Sequence, residues 1–399
     1  MRIAILSDEY LPAGTRVHSK MLHELAVSLV KSGHQLTVIT PGSPHQNKRL
    51  LVDFIDDVEV WRFTSGYTKG VGMLHRAITE FLLPFRSWRA IRARVNNNDD
   101  FDLCINYSPT IFFGPLARRF RKRGTYIYLV LRDMFPQWVI DQGIIKEKSL
   151  PAFIFRHYEK INYQTANCIG VMSKANLDVF REKFPSFDNV KILRNWASLD
   201  PVSLNNGADA FRSKLGLVDK VVFFYGGNIG HAQDMENIMR LARNLKTTKE
   251  VHFLLIGQGD EFSLIQHLKH KWGLDNVTIL PAVSQKEFSN ILATVDVGLF
   301  SLSYKHSAHN FPGKLLAYMV ESKPILGSVN PGNDLLELIN GSEAGAVFIN
   351  GDDTSLADAA MTLATDVELR VRAGAKAQDL LQQQFSVEAA AFGIIAAMD

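Results

Sequence analysis

The chain has 399 residues, of which 46% are hydrophobic and 21% charged, and its formal net charge is +3. This length favours two domains of about 100–200 residues each, with the composition of a globular protein. The small net charge gives no argument for nucleic acid as a partner, and no apolar run approaches the ~20 residues of a membrane-spanning helix.

The N-terminal segment begins with a short apolar run, Ile3 to Leu6, typical of a parallel strand covered on both faces. Since this strand follows Met1-Arg2 directly, we expect no secretory signal and a cytoplasmic protein. Cys104 and Cys168 lie in apolar strand-like runs. They are expected to be reduced core residues, with a disulfide as the alternative.

A βαβ pattern opens the chain. The loop Ser7 to Arg16 is followed by an amphipathic helix from Ser19 to Lys31 and by a strand from Gln35 to Thr40. Gly14 in the loop is typical of an ordinary turn glycine.

The segment Val71 to Val95 combines large apolar residues with arginines and is predicted to be one long helix. Two interpretations stay open: a solvated basic face over a buried helix, or a surface for anionic lipid headgroups. The apolar positions are Leu74, Ile78, Phe81, Leu82, Phe85 and Trp88; the arginines are Arg76, Arg86, Arg89, Arg92 and Arg94; a second basic cluster comprises Arg118, Arg119, Arg121, Lys122 and Arg123.

Polar residues follow two further predicted strands, Asp102 to Asn106 and Tyr126 to Leu131. Tyr107 and Ser108 come after the first strand, and Arg132 and Asp133 after the second. In open α/β sheets, ligands bind beyond the carboxyl ends of strands, so these four residues are site candidates. For Asp133 the alternative is the N-cap of the following helix.

The second half repeats a strand, a glycine-rich turn and a helix. Gly226-Gly227-Asn228-Ile229-Gly230 follows the strand Val221 to Tyr225 and precedes a helix from about Gln233. Such a loop lets backbone amides approach a phosphate, although the spacing is not that of a dinucleotide fingerprint. Gly257 to Glu261 repeats the pattern after the strand His252 to Ile256, with Asp260 as an alternative helix cap.

The run from Ser301 to Gly327 is the most informative stretch. A polar loop with His306, Ser307, His309 and Asn310 leads into a helix predicted to start at Phe311, with Asn310 as N-cap and Pro312 in the first turn. Pro324 is expected to end this helix. The helix start beside a buried strand is an anion site to which Lys314 adds a charge; the alternative is an ordinary crossover with a solvated lysine.

The motif Phe311-Pro312-Gly313-Lys314-Leu315-Leu316-Ala317-Tyr318-Met319 and the residues up to Leu326 resemble the donor-binding signature of retaining GT-B glycosyltransferases of family four. In that family two glutamates bracket the helix start, one holding the sugar and the other the ribose. Here His309 and Ala317 occupy those positions, and Glu321 lies one helical turn later.

The resemblance extends to the segment from Arg132 to Trp138, similar to the family's (His/Arg)-Asp-x-x-Pro segment, and it implies roles for particular residues. Catalytic roles fall to Lys314, His309, Asp133 and Arg132; donor binding to Gly14, Gly227, Asn228, Gln233, Gly257, Gly259, Asp260, Val283, Asn310, Phe311, Pro312, Gly313 and Leu315; acceptor binding to Tyr107, Ser108 and Trp138.

The resemblance implies an α/β GT-B fold, with two Rossmann-like domains facing each other across a cleft. The first domain spans 1–194 and takes the acceptor, with a C-terminal helix, 384–399, crossing back to it; the second spans 195–383 and binds the nucleotide-sugar. Transfer with retention of configuration, and without a metal or other cofactor, is expected.

Within the family, the segment GGNIGHAQDMENIM looks most like bacterial N-acetyl-L-fucosamine transferases of O-antigen assembly. That resemblance implies a UDP-sugar donor, a polyprenyl-diphosphate-linked saccharide acceptor, and peripheral attachment at the cytoplasmic face of the inner membrane, without nucleic acid. The two alternatives are a UDP-sugar 2-epimerase of the same fold and a non-catalytic sugar-nucleotide-binding protein.

Overall fold

The protein is described from a computed structural model covering residues 1–12, 14, 17–67, 71–95, 100–108, 110–141, 143, 145–199, 208–305 and 311–399. Its contacts divide the chain into two compact units. The first unit comprises Met1–Arg194 and Val387–Asp399, and the second comprises Asn195–Ser386. Each unit contains one sheet, and the predicted α/β class with two Rossmann-like sheets is confirmed.

The sheet of the first unit has eight strands in the order β3-β4-β2-β1-β5-β6-β7-β8. All neighbours are parallel except β3, which runs antiparallel to β4 at the edge and was not predicted. The strands are β1 (Arg2–Leu6), β2 (Gln35–Gly42), β3 (Leu50–Ile55), β4 (Val58–Thr64), β5 (Leu103–Tyr107), β6 (Tyr126–Leu131), β7 (Cys168–Val171) and β8 (Val190–Ile192).

The strands β1, β5 and β6 are buried along most of their length because helices cover both faces. These helices are α1 (Val17–Lys31), α2 (Met73–Phe81), α3 (Leu83–Val95), α4 (Gly114–Arg121), α5 (Gln137–Asp141), α6 (Leu150–Thr165) and α7 (Lys174–Lys183). Cys104 and Cys168 are buried free thiols, as expected.

The prediction of one long helix from Val71 to Val95 is wrong, because the chain forms two helices, α2 and α3, that meet at Leu82. Pro84 explains the break, since it has no N–H to donate to the carbonyl of Glu80. The N–H of Leu82 still bonds the carbonyl of Ile78 at 3.1 Å and ends α2.

The second unit contains six parallel strands in the order β11-β10-β9-β12-β13-β14, the strand order of a doubly wound nucleotide-binding sheet. The strands are β9 (Val221–Asn228), β10 (Val251–Gln258), β11 (Val277–Pro281), β12 (Val297–Ser301), β13 (Ile325–Val329) and β14 (Gly345–Ile349); the helices are α8 (Ala208–Lys214), α9 (Met235–Asn244), α10 (Phe262–Trp272), α11 (Gln285–Thr294), α12 (Lys314–Val320), α13 (Leu335–Gly341), α14 (Asp353–Thr365) and α15 (Val367–Leu380).

The helix predicted from Phe311 is shorter than expected. It is α12, which begins at Lys314 and ends at Val320, before Pro324. Ser322 adopts a positive φ of 49°, and the N–H of Lys323 bonds the carbonyl of Tyr318 at 2.9 Å. The helix therefore ends in a left-handed C-terminal turn rather than at the proline.

After α15 the chain passes through a π-helical turn, Leu381–Phe385, into the last helix, α16 (Val387–Ile395). This helix belongs to the first unit, where it packs on α1. Ile394 is fully buried, and the hydroxyl of Tyr126 donates to the carbonyl of Ala397. No helix in the described ranges is long and apolar enough to cross a membrane.

Candidate functional site

Each sheet has one position at which the strand order reverses, and ligands of open α/β sheets bind beyond the carboxyl ends of the strands at this position. In the second unit it lies between β9 and β12, and in the first unit between β1 and β5. The residues that follow these four strands are therefore the first candidates for a site.

In the second unit, the glycines after Tyr225 are part of a strand, and the prediction of a glycine loop there is wrong. β9 continues to Asn228, with Gly227 opposite Gly257 of β10. A Cβ on Gly257 would lie 1.8 Å from the carbonyl oxygen of Gly227, and one on Gly259 would lie 2.1 Å from that of Ile229. Close approach of the two backbones thus requires both Gly257 and Gly259.

The other edge of β9 is open near its end. β9 pairs with β12 only through Phe223 and Phe224, so Tyr225 to Asn228 extend beyond that pairing toward the position where the strand order reverses. Gly227 has φ 122°. A side chain there would be strained and would come within 3.7 Å of Lys314.

Lys314, the first residue of α12, lies beside this open edge. Its Nζ is 3.3 Å from the centroid of the Tyr225 ring, a cation–π contact. The side chain is half-buried, and burial lowers the pKa of Lys314 well below its ordinary value of 10.5. The tyrosine hydroxyl donates to the carbonyl of Asn228, which fixes the ring under the ammonium group.

A polar cluster surrounds the turn after β9. The amide of Asn228 donates to Oε1 of Gln233 at 2.8 Å. The exposed ring of His231 lies between two carboxylates, with Nε2 3.1 Å from Asp260 and Nδ1 2.9 Å from Glu261. The hydrogen bond that His231 donates to Glu261 and the charge of Asp260 raise the pKa of His231. The cationic form of the ring is thereby favoured.

Glu261, which the sequence analysis did not assign to the site, organises this turn. Its Oε2 accepts the backbone N–H of Met235 at 3.0 Å and so caps α9 from a neighbouring loop. Asp260, considered as a helix cap, is not the cap of α10, which begins after Glu261. Among the described residues, no three His, Cys, Asp or Glu side chains form a group able to hold a metal ion.

A network of hydrogen bonds, several of them from buried side chains, holds the turn after β9 in place. Asp234 has φ 46°, and its carboxylate accepts from the amide of Asn350 at 2.9 Å. The amide of Asn237 donates to Oγ of Ser301 at 3.1 Å, and the backbone N–H of Ser303 donates to the carbonyl of Ala232 at 2.9 Å. Polar residues that are buried at strand ends are the sequence signal for this network.

The remaining donor-binding candidates of the second unit are dispersed. Phe311 packs against the buried Phe385, with ring centroids 4.6 Å apart and the rings tilted by 32°, and Leu315 is fully buried in the core. Val283 packs against the same core, whereas Gly313 is exposed. The structure places Pro312 half-buried before α12; His309 and Asn310, like His306 and Ser307, lie outside the described residues.

Gly14, in the first unit, closes a turn. Its N–H bonds the carbonyl of Tyr10 at 2.9 Å. A Cβ at Gly14 would come within 2.4 Å of Oγ of Ser19 and 3.0 Å of Glu9. Packing against α1 therefore accounts for a glycine at this position.

The acceptor-side residues gather at the carboxyl edge of the first sheet. Tyr107, at the end of β5, and Ser108 are buried. The buried guanidinium of Arg132 donates to the carbonyls of Leu193 at 2.7 Å and Arg194 at 3.3 Å, where the first part of the first unit ends. Burial raises the pKa of Tyr107, and the neighbouring Arg132 opposes this shift.

Asp133 is exposed and does not cap the following helix, because α5 begins only at Gln137. Trp138 lies in the first turn of α5, and its side chain is outside the described part of the structure. Asp133 therefore remains a polar group at the sheet edge, next to Arg132 and Tyr107.

Two residues that the sequence analysis did not select lie at the same edge. Asp8 follows β1, and His18 is in the first turn of α1. His18 Nε2 is 3.9 Å from Asp8 Oδ1, and the His18 ring stacks on Tyr107 with centroids 5.8 Å apart. The sequence feature that could have identified them is their position, because they lie at the two ends of the loop that follows β1.

Comparison with known proteins gives three findings. Residues 208–380, nearly all of the second unit, match the family of glycosyl transferases group 1. WbjE of Pseudomonas aeruginosa, named as a glycosyltransferase, is 24% identical over 364 residues, covering 89% of this chain and 88% of that protein. WcaI of Escherichia coli (strain K12) is named as a colanic acid biosynthesis glycosyl transferase. It is 24% identical over 322 residues, which cover 75% of this chain and 76% of WcaI.

Solved structures share the fold along the whole chain. Anabaena HepE in complex with UDP aligns over 100% of this chain and 99% of its own, with a TM-score of 0.64 and 15% identity. WaaG, a glycosyltransferase involved in lipopolysaccharide biosynthesis, aligns over 99% of each chain with a TM-score of 0.61 and 14% identity. The two sheets described above thus belong to the same fold as these structures, the GT-B fold.

Proposed function

We propose that this chain, which carries a glycosyl transferases group 1 domain within a GT-B fold, is a retaining glycosyltransferase that uses a UDP-sugar donor. Its acceptor is a polyprenyl-diphosphate-linked saccharide of surface polysaccharide synthesis, and the transferred sugar is N-acetyl-L-fucosamine. The bond from the anomeric carbon to the diphosphate breaks, a bond to the acceptor oxygen forms, and the hydroxyl proton leaves with UDP.

The observation that carries the proposal is the contact between Lys314 and the open end of β9. An ammonium group, held on the Tyr225 ring beside Gly227, lies where the strand order reverses. A fixed cation stabilises the negative charge that develops on a departing diphosphate.

Three similar proteins support the class of substrate. WcaI is named for colanic acid biosynthesis and WaaG for lipopolysaccharide biosynthesis, while HepE was solved with UDP. The finer assignment to N-acetyl-L-fucosamine rests on the resemblance of the segment from Gly226 to Met239.

The test is calorimetry with UDP followed by incubation with a panel of UDP-sugars, with and without polyprenyl-diphosphate-linked acceptors. Transfer with a retained anomeric configuration, unaffected by EDTA, is the expected result. Donor consumption without an acceptor, giving an epimeric sugar, would instead identify a UDP-sugar 2-epimerase. Binding of UDP without turnover of any donor would identify a sugar-nucleotide-binding protein, and no heat with any nucleotide would remove the proposal.

The proposal includes peripheral attachment of the first unit to an anionic membrane. Large apolar side chains are exposed on α2, α3 and α6: Ile78 53%, Phe81 41%, Phe85 51%, Leu150 71% and Phe153 72%. Because α3 and α6 lead into the parallel strands β5 and β7, their N-terminal ends lie toward the carboxyl edge of the sheet. The apolar group is thus on the same side as Tyr107 and Arg132.

One group of basic residues lies away from this apolar group. Arg118, Arg121 and Lys122 line a groove against Ile161 and Gln164 at the C-terminal ends of α4 and α6, toward the opposite edge of the sheet. Other arginines of the two basic clusters are already engaged: Arg76 with Glu80, Arg94 with Glu59, Arg119 with Trp88 and Arg123 with Asp100. Arg89 and Arg92, which are exposed on α3 one and two turns after Phe85, suit the headgroups of anionic lipids.

Co-sedimentation with phosphatidylglycerol vesicles tests this attachment. Phe85→Ser combined with Phe153→Ser is expected to reduce binding, because both variants remove exposed apolar area. Phe392→Ser is the matched control, since Phe392 is 74% exposed on α16. Equal binding of all variants, or equal binding to phosphatidylcholine vesicles, would contradict a membrane surface on these helices.

A further inference from the structure

We propose that two copies of this chain pair through the free edge of β3 and form a symmetric dimer, an inference that goes beyond the proposed function. β3 is the last strand of the eight-stranded sheet, and among the described strands it pairs with β4 alone. A strand at such an edge presents main-chain N–H and C=O groups with which another strand can pair. The properties of β3 fit the same strand of a second copy.

The other three edge strands in the described ranges have features that hinder such pairing. β8 has only three residues, and β11 ends in Pro281. The Asn340 side chain covers the edge of β14, because it donates to the carbonyl of Val347 at 2.9 Å and accepts the N–H of Val347 at 2.8 Å. β3 has six residues, no proline and a continuous register with β4, so its edge has none of these protections.

The hydrogen bonds between β3 and β4 determine which main-chain groups are available. The N–H of Thr64 bonds the carbonyl of Arg49 at 3.0 Å, so these two residues, which face each other just before β3 begins, are a hydrogen-bonded pair. Bonded pairs recur at every second residue of an antiparallel ladder. The main-chain groups of Leu50, Val52 and Phe54 therefore point away from β4, to the free edge.

These three residues define a symmetric register. When two copies of β3 pair in antiparallel fashion about a two-fold axis at Val52, Val52 lies opposite the partner's Val52, and Leu50 lies opposite the partner's Phe54. All of these residues have their main-chain groups at the shared edge, so each pair can exchange N–H···O bonds. The Phe54 side chain, which is 70% exposed in one copy, gains an apolar neighbour across the interface.

The charges that flank β3 fit the same register. Lys48 and Arg49 precede the strand, whereas Asp56 and Asp57 follow it, and all four residues are exposed. Antiparallel pairing places Lys48 opposite the partner's Asp56 and brings Arg49 near the partner's Asp57. Asp56 is 72% exposed even though its carboxylate lies 2.8 Å from His23. Parallel pairing would place like charges side by side, so the charges favour the antiparallel dimer.

An open groove beside β3 can accept a side chain of the second copy. The groove has a volume of about 580 Å³, and its lining includes Leu11, Asp53, Ile55 and Arg62. In the symmetric register the partner's Arg49 lies opposite Ile55 and diagonal to Asp53. The Asp53 side chain is 55% exposed beside Arg62, so its carboxylate is open to a second guanidinium group.

Sedimentation equilibrium of the full chain at micromolar concentrations tests the dimer. Val52→Pro should raise the dissociation constant roughly tenfold or more, because proline removes the N–H at the two-fold axis without removing a bond to β4. Val367→Pro is the matched control, since Val367 is 60% exposed at the first position of α15, where proline fits. The control should dimerise like the wild-type protein.

Charge reversal tests the register with exposed side chains. Lys48→Glu combined with Arg49→Glu should weaken self-association, and so should Asp56→Lys combined with Asp57→Lys. An equimolar mixture of these two double variants should form a mixed dimer, because each acidic strand then faces a basic one. Circular dichroism of each variant checks that the fold is kept.

A wild-type chain that stays monomeric at all these concentrations would refute the proposal. A dimer that neither Val52→Pro nor the charge reversals weaken would also refute it, because the interface then lies elsewhere. If Val52→Pro does not fold, the charge-reversed pair decides: failure of the mixture to associate more tightly than either variant alone excludes this register. UDP binding is not required for any of these outcomes, so they are independent of the proposed function.

Discussion

The carboxyl edges of the two sheets differ in the chemical groups that line them. At the edge of the second sheet, glycines bring backbone close to backbone, and Lys314 supplies a charge over an aromatic ring. At the edge of the first sheet, side chains that can hydrogen-bond or titrate, such as Asp8, His18 and Tyr107, form the surface. The first arrangement suits a diphosphate, and the second suits hydroxyl groups.

Of the variants that test this difference between the two edges, Lys314→Ala is expected to have the largest effect. Removing the ammonium group should lower kcat by roughly a hundredfold to a thousandfold, the usual cost of deleting a group that stabilises transition-state charge. The fold should survive, because Lys314 is only half-buried. Steady-state kinetics with circular dichroism checks both statements.

Lys323→Ala is the control for this change. Lys323 follows α12 and donates to the carbonyl of Ala293 at 3.1 Å, so it is a structural lysine of the same segment. Near-normal turnover in Lys314→Ala would show that the lysine takes no part in the mechanism. It would also contradict the assignment of the diphosphate to the edge of the second sheet.

Gly227→Ala should have the next largest effect. A non-glycine residue at φ 122° is strained by about 1–3 kcal/mol, and the new methyl group would contact Lys314. We expect both a lower melting temperature and weaker UDP binding. Gly313→Ala, with nothing within 4 Å of the new Cβ, should change neither quantity; equal losses in the two variants would argue against a specific role for Gly227.

The edge of the second sheet should also take up a proton when it binds UDP. Burial lowers the pKa of Lys314, so the free protein loses this proton at a lower pH than an exposed lysine does. An anionic ligand favours the ammonium form and raises this pKa again. Calorimetry in buffers with different ionisation enthalpies should show proton uptake that grows as pH rises through the lowered pKa, and none in Lys314→Ala.

The smallest expected effect concerns His231. Its folded-state pKa is raised above 6.5 by Glu261 and Asp260, so its ion pairs stabilise the fold fully below pH 6.5 and lose this effect as pH rises through the raised pKa. His231→Gln should therefore lower the melting temperature slightly at acid pH and not at alkaline pH. A difference that does not depend on pH would point to packing instead.

The sequence predicted most of the strands and the neighbourhood of Lys314, because short apolar runs and glycines are local signals. It could not predict that Glu261 caps α9, or that the His18 ring stacks on Tyr107 and lies 3.9 Å from Asp8. Those contacts depend on the order of strands in the sheet, which joins residues distant in sequence. The helix break at Leu82 has a local cause, Pro84. The prediction of one long helix gave more weight to the spacing of the apolar residues than to this proline.

The place of α16 has a consequence for the newly made chain. In the described part of the first unit, the final helix packs on α1, and Ile394 of this helix is fully buried. During synthesis, residues 195–386 must leave the ribosome before this helix exists. The unit made first is thus completed last, and the unit made second can fold before it.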